Sequence, residues 1–191
     1  MNNEKFNHIK RMWYLKDGVI FTRYGNKPVS FSGKTGNGRR CTMIKVNGKQ
    51  YIILIHEAVF MLHHDRAIAE GKELHHVDGN YENNAINNLI ELTPKQHKRI
   101  HAFQCDDPLR GIFLVSGAWQ FRWYEENGRQ RARSFHGIDK AMAFRDEIER
   151  PRRQELRALG LQCKRAGNRQ TASTLRQRNR QQNPRLWRHR Q

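Results

Sequence analysis

The segment from His75 to His101 constrains this chain most. It places His75-His76-Val77-Asp78-Gly79-Asn80, then Asn88-Leu89, then His97 and His101, within one short unit. Leu74-His75-His76-Val77 reads as a strand, Asp78-Gly79-Asn80 as a turn, and Asn88-Leu89-Ile90-Glu91-Leu92 as the returning strand. Thr93-Pro94 then opens a helix, with Thr at the cap, Pro at the first helical position and Gln96 three residues after the cap. The spacing therefore predicts a β-β-α unit. His97 and His101, four residues apart, fall on one helical face. His75 and His76 must point to opposite faces of their strand.

That division suits hydrolysis at phosphorus. Neutral imidazole is a good ligand for divalent first-row metals. His75 from the strand, with His97 and His101 from the helix, could converge on one ion. His76 faces away and is left as a base, because an unperturbed pKa near ~6.5 keeps much of it neutral at working pH. Asn88 can cross-link the two strands or orient the His76 ring. A metal so placed would offset charge on a non-bridging oxygen and on the leaving sugar oxygen. His63-His64 has no such company and reads as surface or core filler.

Charge points to the partner. Lys and Arg number 36 against 18 acids, a formal net charge of +18 in 191 residues, which calls for a polyanion. Anionic membranes would also attract such a chain, but no long basic amphipathic helix with a broad apolar face is present. The most apolar run, Tyr51 to Leu62, is too short to span a bilayer and contains His56 and Glu57. The N-terminus has no apolar signal core. Cys41, Cys105 and Cys163 form no CxxC pair, so reduced cysteines in a soluble cytoplasmic protein are expected, without a thiolate zinc site.

The remaining chain divides by pattern. Residues 1–71 form a β-rich leader and a short helix. The turn Asp17-Gly18 joins two short strands, and Asn47-Gly48 joins Met43–Val46 to Tyr51–Ile55 as a hairpin. Residues 56–64 then form the helix. Residues 72–104 hold the histidine unit. Residues 108–159 predict three strands and a helix capped by Asp139, broken or kinked near Arg150 by Pro151. Residues 160–191 are rich in Arg, Gln and Asn, and read as a disordered tail that condenses on phosphates. The fold class is α+β.

The stretch LHHVDGNYENNAINNLIELTPKQHKRIH resembles the HNH endonucleases and their ββα-metal fold, and looks closest to the phage-type homing enzymes. By position, the resemblance implies His76 as general base, Asn88 as its orienting partner and His97 as metal ligand. His75 is the other ligand, at a position that is often Asp in homing members. His101 matches an extra histidine ligand of the colicin-like branch. Asp78 and Gly79 match the family's turn, and Asn83 and Asn84 the Asn-Asn that braces its loop. Upstream, Glu57 stands where Arg usually follows the family's histidine, and His56 reads as packing. The implied cofactor is one divalent ion, magnesium, manganese or zinc. The implied products are a 3′-hydroxyl and a 5′-phosphate.

Residues 108–150 resemble the plant ethylene-response-factor (apetala-two type) DNA-binding domain through Arg110-Gly111-Ile112, Gly117-Ala118-Trp119, Arg122, Arg133-Ser134-Phe135 and Lys140-Ala141. That resemblance implies a sheet in the major groove, with Phe121 and Phe135 packed on Ala141 and Phe144. Arg110, Arg122, Arg131 and Arg133 would face DNA. The outward face is open at this point, so Trp119 and Trp123 could be core or contact; Trp119 joins the arginines as a candidate contact. The expectation is a monomeric, site-specific, metal-dependent endonuclease acting on double-stranded DNA, with no small-molecule cofactor and no membrane. The alternatives are a non-catalytic, sequence-specific DNA-binding regulator and an RNA-directed protein.

Overall fold

Asn47 and Gly48 both adopt positive φ (50° and 81°), the backbone twist a two-residue hairpin turn requires. They join β4 (Arg40–Val46) to β5 (Lys49–Leu54), with β3 (Gly33–Lys34) on the other edge of β4. A second hairpin pairs β1 (Trp13–Lys16) with β2 (Val19–Thr22), Leu15 opposite Ile20. These elements belong to a computed structural model that describes residues 2–105 and 107–163. The expected basic tail therefore lies outside the described residues from position 164 onwards.

Two helices cover these strands. α1 (Asn2–Met12) was not foreseen. Only Phe6, Ile9 and Met12 give it an apolar stripe, yet Ile9 is fully buried. α2 (Ile55–His64) follows β5 directly. Its first turn is held by Glu57, whose Oε2 accepts the Leu54 amide at 3.2 Å, so the residue in the family's Arg position serves the helix start. Ala58, Val59, Phe60 and Met61 are buried and share one core with Ile9, Trp13, Ile20, Ile44 and Ile53.

Leu74 and Leu89 lie in that same core. They belong to β6 (Glu73–His76) and β7 (Leu89–Leu92), an antiparallel pair in which His75 faces Ile90 and His76 faces Leu89. The histidine unit thus shares its packing with the leader. The returning strand starts one residue later than expected, because Ile86–Asn88 form a 3-10 turn. α3 (Pro94–Gln104) opens with the expected capping box: Thr93 Oγ1 accepts the Gln96 amide at 3.2 Å and Gln96 Oε1 accepts the Thr93 amide at 2.9 Å.

The chain divides into two compact units, residues 1–100 and 101–191, the cut falling inside α3. In the second, β8 (Ile112–Val115), β9 (Ala118–Tyr124) and β10 (Gln130–Phe135) form an antiparallel sheet with β9 central, and α4 (Ile138–Ala158) packs on it. Gly137 stands at the α4 cap, with Asp139 in the first turn. The expected break at Pro151 does not occur; α4 runs through it. Pro151 faces solvent, while Arg145, Glu149, Arg153 and Leu156 are buried along the helix on either side. That anchoring offsets the backbone hydrogen bond a helical proline forfeits. No described helix is long and apolar enough to cross a membrane.

Candidate active site

Strand alternation gives β6 two chemical faces. His75 and His76 are both buried, at 2% and 3% exposed, but their rings meet different neighbours. The His75 ring packs edge-on against His97 of α3, centroids 5.1 Å apart. The His76 ring packs edge-on against His56 of α2, centroids 4.9 Å apart. The opposed directions expected from the strand period are therefore present.

On the α3 face, His75, His97 and His101 offer ring nitrogens that all lie within 4.8 Å of one another. The place of His101 follows from helix continuity, since it lies one turn beyond His97 on α3. Nitrogens held about 2.0–2.1 Å from one tetrahedral ion stand roughly 3.3 Å apart, so small ring movements close the set. The donors are three imidazoles, a combination that suits a divalent first-row metal. Glu73 adds a contact that sequence reading missed: its Oε2 lies 2.5 Å from His97 Nδ1. A carboxylate on Nδ1 directs the other ring nitrogen of a histidine towards a metal. Glu73 precedes His75 by two residues, so the strand period alone put it on this face.

On the α2 face, His76 Nε2 lies 3.2 Å from Asn84 Oδ1. The Asn84 amide is oriented in turn, because its Nδ2 donates to the Glu82 carbonyl at 3.1 Å. An oxygen acceptor at Nε2 places the ring proton there and leaves the lone pair on Nδ1. Burial pulls the His76 pKa below the usual imidazole value, and the Arg39 charge pulls the same way, against the opposing effects of Asn84 and Asp78. His56 is pushed down to about 3 by burial, with the His76 and Arg39 charges acting in the same direction. Both rings are therefore neutral near pH 7. A cavity of about 280 Å³ lies at this face, lined by Arg40, Ile55, Tyr81, Glu82 and Asn84.

Asn88 does not make the hydrogen bond to the His76 ring that the resemblance implied. Its Oδ1 accepts the Asp78 amide at 3.0 Å, and its Nδ2 donates to Asp78 Oδ1 at 2.9 Å and to the Asn83 carbonyl at 2.8 Å. It ties the end of the β6–β7 loop to its start. Asp78 is the hub: Oδ2 accepts Asn83 Nδ2 at 2.8 Å and Oδ1 also accepts the Asn80 amide at 2.8 Å. These bonds, the Asn83 bond foremost, hold its carboxyl below the ordinary value. Gly79 takes φ +76° in the same turn. Asn83 braces the loop, whereas Asn84 reaches the His76 ring. Two adjacent asparagines look alike in sequence; only the loop path separates them.

In the second unit, register sorts the candidate DNA contacts. Arg122 stands opposite Ala132 on the open face of the sheet, its guanidinium 5.2 Å from the Phe113 ring centroid and its Nε on Gln120 Oε1 at 2.7 Å. Phe113 and Tyr124 are exposed on that face, at 49% and 61%. Trp119 pairs with Phe135 and, partly buried, packs against the core beneath α4; Trp123 lies on the same side. Arg110 is also drawn inward: Nη2 lies 2.7 Å from both Glu149 oxygens. Arg131 and Arg133 face the helix side but remain exposed on β10. Arg131 is held by Glu125 at 2.9 Å, and Arg133 stacks 4.7 Å from the Phe144 centroid.

Comparison with known proteins finds a family match over the segment that carries His75, His76 and His97. Residues 54–99 match the family described as HNH endonuclease. The match takes in α2 with His56, then β6, β7 and most of α3. This segment is an HNH endonuclease domain, and the protein that carries it is a nuclease. A solved structure described as "DNA binding and cleavage by the HNH homing endonuclease I-HmuI" aligns over 64% of this chain and 71% of its own, at 18% identity and a TM-score of 0.39. No curated protein matches the chain.

Proposed function

We propose that the protein is a site-specific, metal-dependent DNA endonuclease of the HNH homing type, acting in the cytoplasm, with His76 as general base. The observation that carries this reading is the split of two adjacent histidines. His75 joins His97 and His101 within 4.8 Å on one side of β6, while His76 is held neutral on the other.

His75, His97 and His101 would hold one divalent ion, magnesium, manganese or zinc, with Glu73 fixing the His97 ring. When bound, that ion supplies Lewis-acid charge to the phosphate and the leaving sugar oxygen. His76 takes a proton from the attacking water at Nδ1, while Asn84 retains the ring proton on Nε2. Asn88, Asp78 and Asn83 keep the loop that carries Asn84 in place.

Duplex DNA is the proposed substrate. The net charge of +18 supports it, as does the open face of the β8–β10 sheet, which presents Arg122 and Tyr124. We read that sheet with α4 as a DNA-reading unit of the ethylene-response-factor kind, with Arg131 and Arg133 at its edge. The test is plasmid cleavage with added magnesium, manganese or zinc. Wild type nicks or linearises the plasmid, and His76→Ala slows it by ~10²- to 10⁴-fold, the usual worth of a general base. Equal rates would overturn the role of His76. Absence of cleavage with every metal, on DNA containing the target site, would favour a DNA-binding regulator.

A further inference from the structure

The cavity lined by Asn84, the partner of the His76 ring, has a guanidinium on its wall. Arg40 lines it. Arg39, the preceding residue, is half-buried. Arg39 ends the turn between β3 and β4, and Arg40 opens β4 opposite Lys34. That turn is fixed by its own bonds: the Thr35 amide donates to the Arg39 carbonyl at 2.9 Å, and the Arg39 amide to Thr35 Oγ1 at 3.2 Å. Gly38 in the same turn sits against Tyr81, whose hydroxyl would lie 3.9 Å from a Cβ there. Tyr81 in turn lines the cavity. The turn is thus seated on the β6–β7 loop.

Arg39 and Arg40 differ from the arginines that are neutralised by an acid. Arg66, Arg110, Arg131, Arg152 and Arg153 each engage a glutamate. Among the described residues, no carboxylate engages Arg39 or Arg40. Glu82 is the acid on the cavity wall and forms no ion pair with either. Arg40 stands on a cavity whose wall also includes Asn84, the partner of the His76 ring, and Arg39 precedes it; among the described residues neither guanidinium has an acid to neutralise it. They are suited to an anion, and guanidinium pairs bind phosphate oxygens by parallel hydrogen bonds.

We propose that Arg39 and Arg40 form the seat of one backbone phosphodiester of the duplex, which enters the cavity lined by Tyr81 and Asn84 and is thereby placed against His76. The proposal rests on the nuclease reading for the consequence of that placement, but the binding seat is testable without cleavage. Tyr81 and Ile55 form its less polar wall, and Glu82 repels a phosphate that approaches from the wrong side.

The test uses the full chain and two readouts. The first is affinity for a random-sequence duplex in chelator over a range of salt. Arg39→Gln/Arg40→Gln lowers the slope of log affinity against log salt by about 0.9, the counterions released at one phosphate. The second is plasmid cleavage with metal, which falls at least ~10-fold. Arg40→Lys, which keeps the charge, restores the slope but only part of the rate. An unchanged salt slope in the double variant overturns the proposal, whatever the cleavage rate. If wild type does not cleave at all, the nuclease reading fails, and the slope alone decides the seat. If the double variant melts lower than wild type, Arg40→Gln, at an exposed position, is measured in its place under the same criteria.

Discussion

Adjacent residues with the same side chain do different work here because a strand alternates. His75 and His76 are chemically identical, and the pleat sends one ring to His97 and the other to His56. That much follows from a period of two. The partner of the His76 ring does not. Asn84 and Asn88 are equally plausible on paper, and the structure gives the ring to Asn84 and the loop to Asn88. The two variants should therefore fail differently. Asn88→Ala removes three hydrogen bonds of the loop and should cost about 1–3 kcal/mol, visible as a lower denaturant midpoint. Asn84→Ala should leave the midpoint nearly unchanged and lower kcat. The reverse pattern would return the orienting role to Asn88. His56 adds a pH signature. Its folded pKa lies near 3 against 6.5 for the ordinary group, so below about pH 6.5 the unfolded chain takes up a proton that the folded chain refuses. Stability is complete above that pH and falls as pH drops towards 3, by up to ~1.4 kcal/mol per unit from this group. Unfolding titrations at several pH values should show a shallower acid loss in His56→Gln.

At the scale of elements, local signals were legible where chemistry is local. The Asn47-Gly48 turn, the Thr93/Gln96 capping box and the β-β-α order could all be read in sequence because each depends on a few neighbouring residues. Elements that depend on distant packing could not. α1 has a mean composition too polar to announce itself and is held by burying Ile9 against strands and α2. α4 passes through Pro151 because of buried charged residues that no periodicity flags. Arg110 and Arg153 both meet Glu149, at 2.7 and 2.9 Å, and both guanidiniums lie over the Phe103 ring, at 5.2 and 4.2 Å. One buried carboxylate thus serves two cations. Glu149→Ala leaves both without it and should destabilise the second unit by about 3–5 kcal/mol; a loss under ~1 kcal/mol in chemical denaturation would show the cluster to be marginal. The sequence placed Arg110 on DNA because an arginine before a strand looks the same whether it faces outward or inward.

For the whole molecule, charge is the property most plainly read from sequence, and its distribution is the property least so. A total of +18 implies a polyanion, but several described arginines, Arg110 and Arg153 among them, are taken up by acids within the fold. Arg122 on the open sheet face is one that register leaves available. If that face reads DNA, Arg122→Ala should cost ~1–3 kcal/mol on the preferred target and much less on unrelated duplex. An equal loss on both would reduce it to a phosphate contact. The HNH segment was legible in sequence, because the family's residues stand at particular spacings within residues 54–99. The open face of the β8–β10 sheet was not, because a sheet face is chosen by the core that forms behind it.

The central claim is that one histidine of the His75-His76 pair holds an ion and the other does not. Calorimetric titration of zinc into the full-length protein tests this most directly, with wild type, His97→Ala and His76→Ala measured side by side. Wild type and His76→Ala should each bind one ion with similar affinity, and His97→Ala should bind at least ~10-fold more weakly. Equal affinity in all three, or loss of the ion in His76→Ala alone, would contradict it.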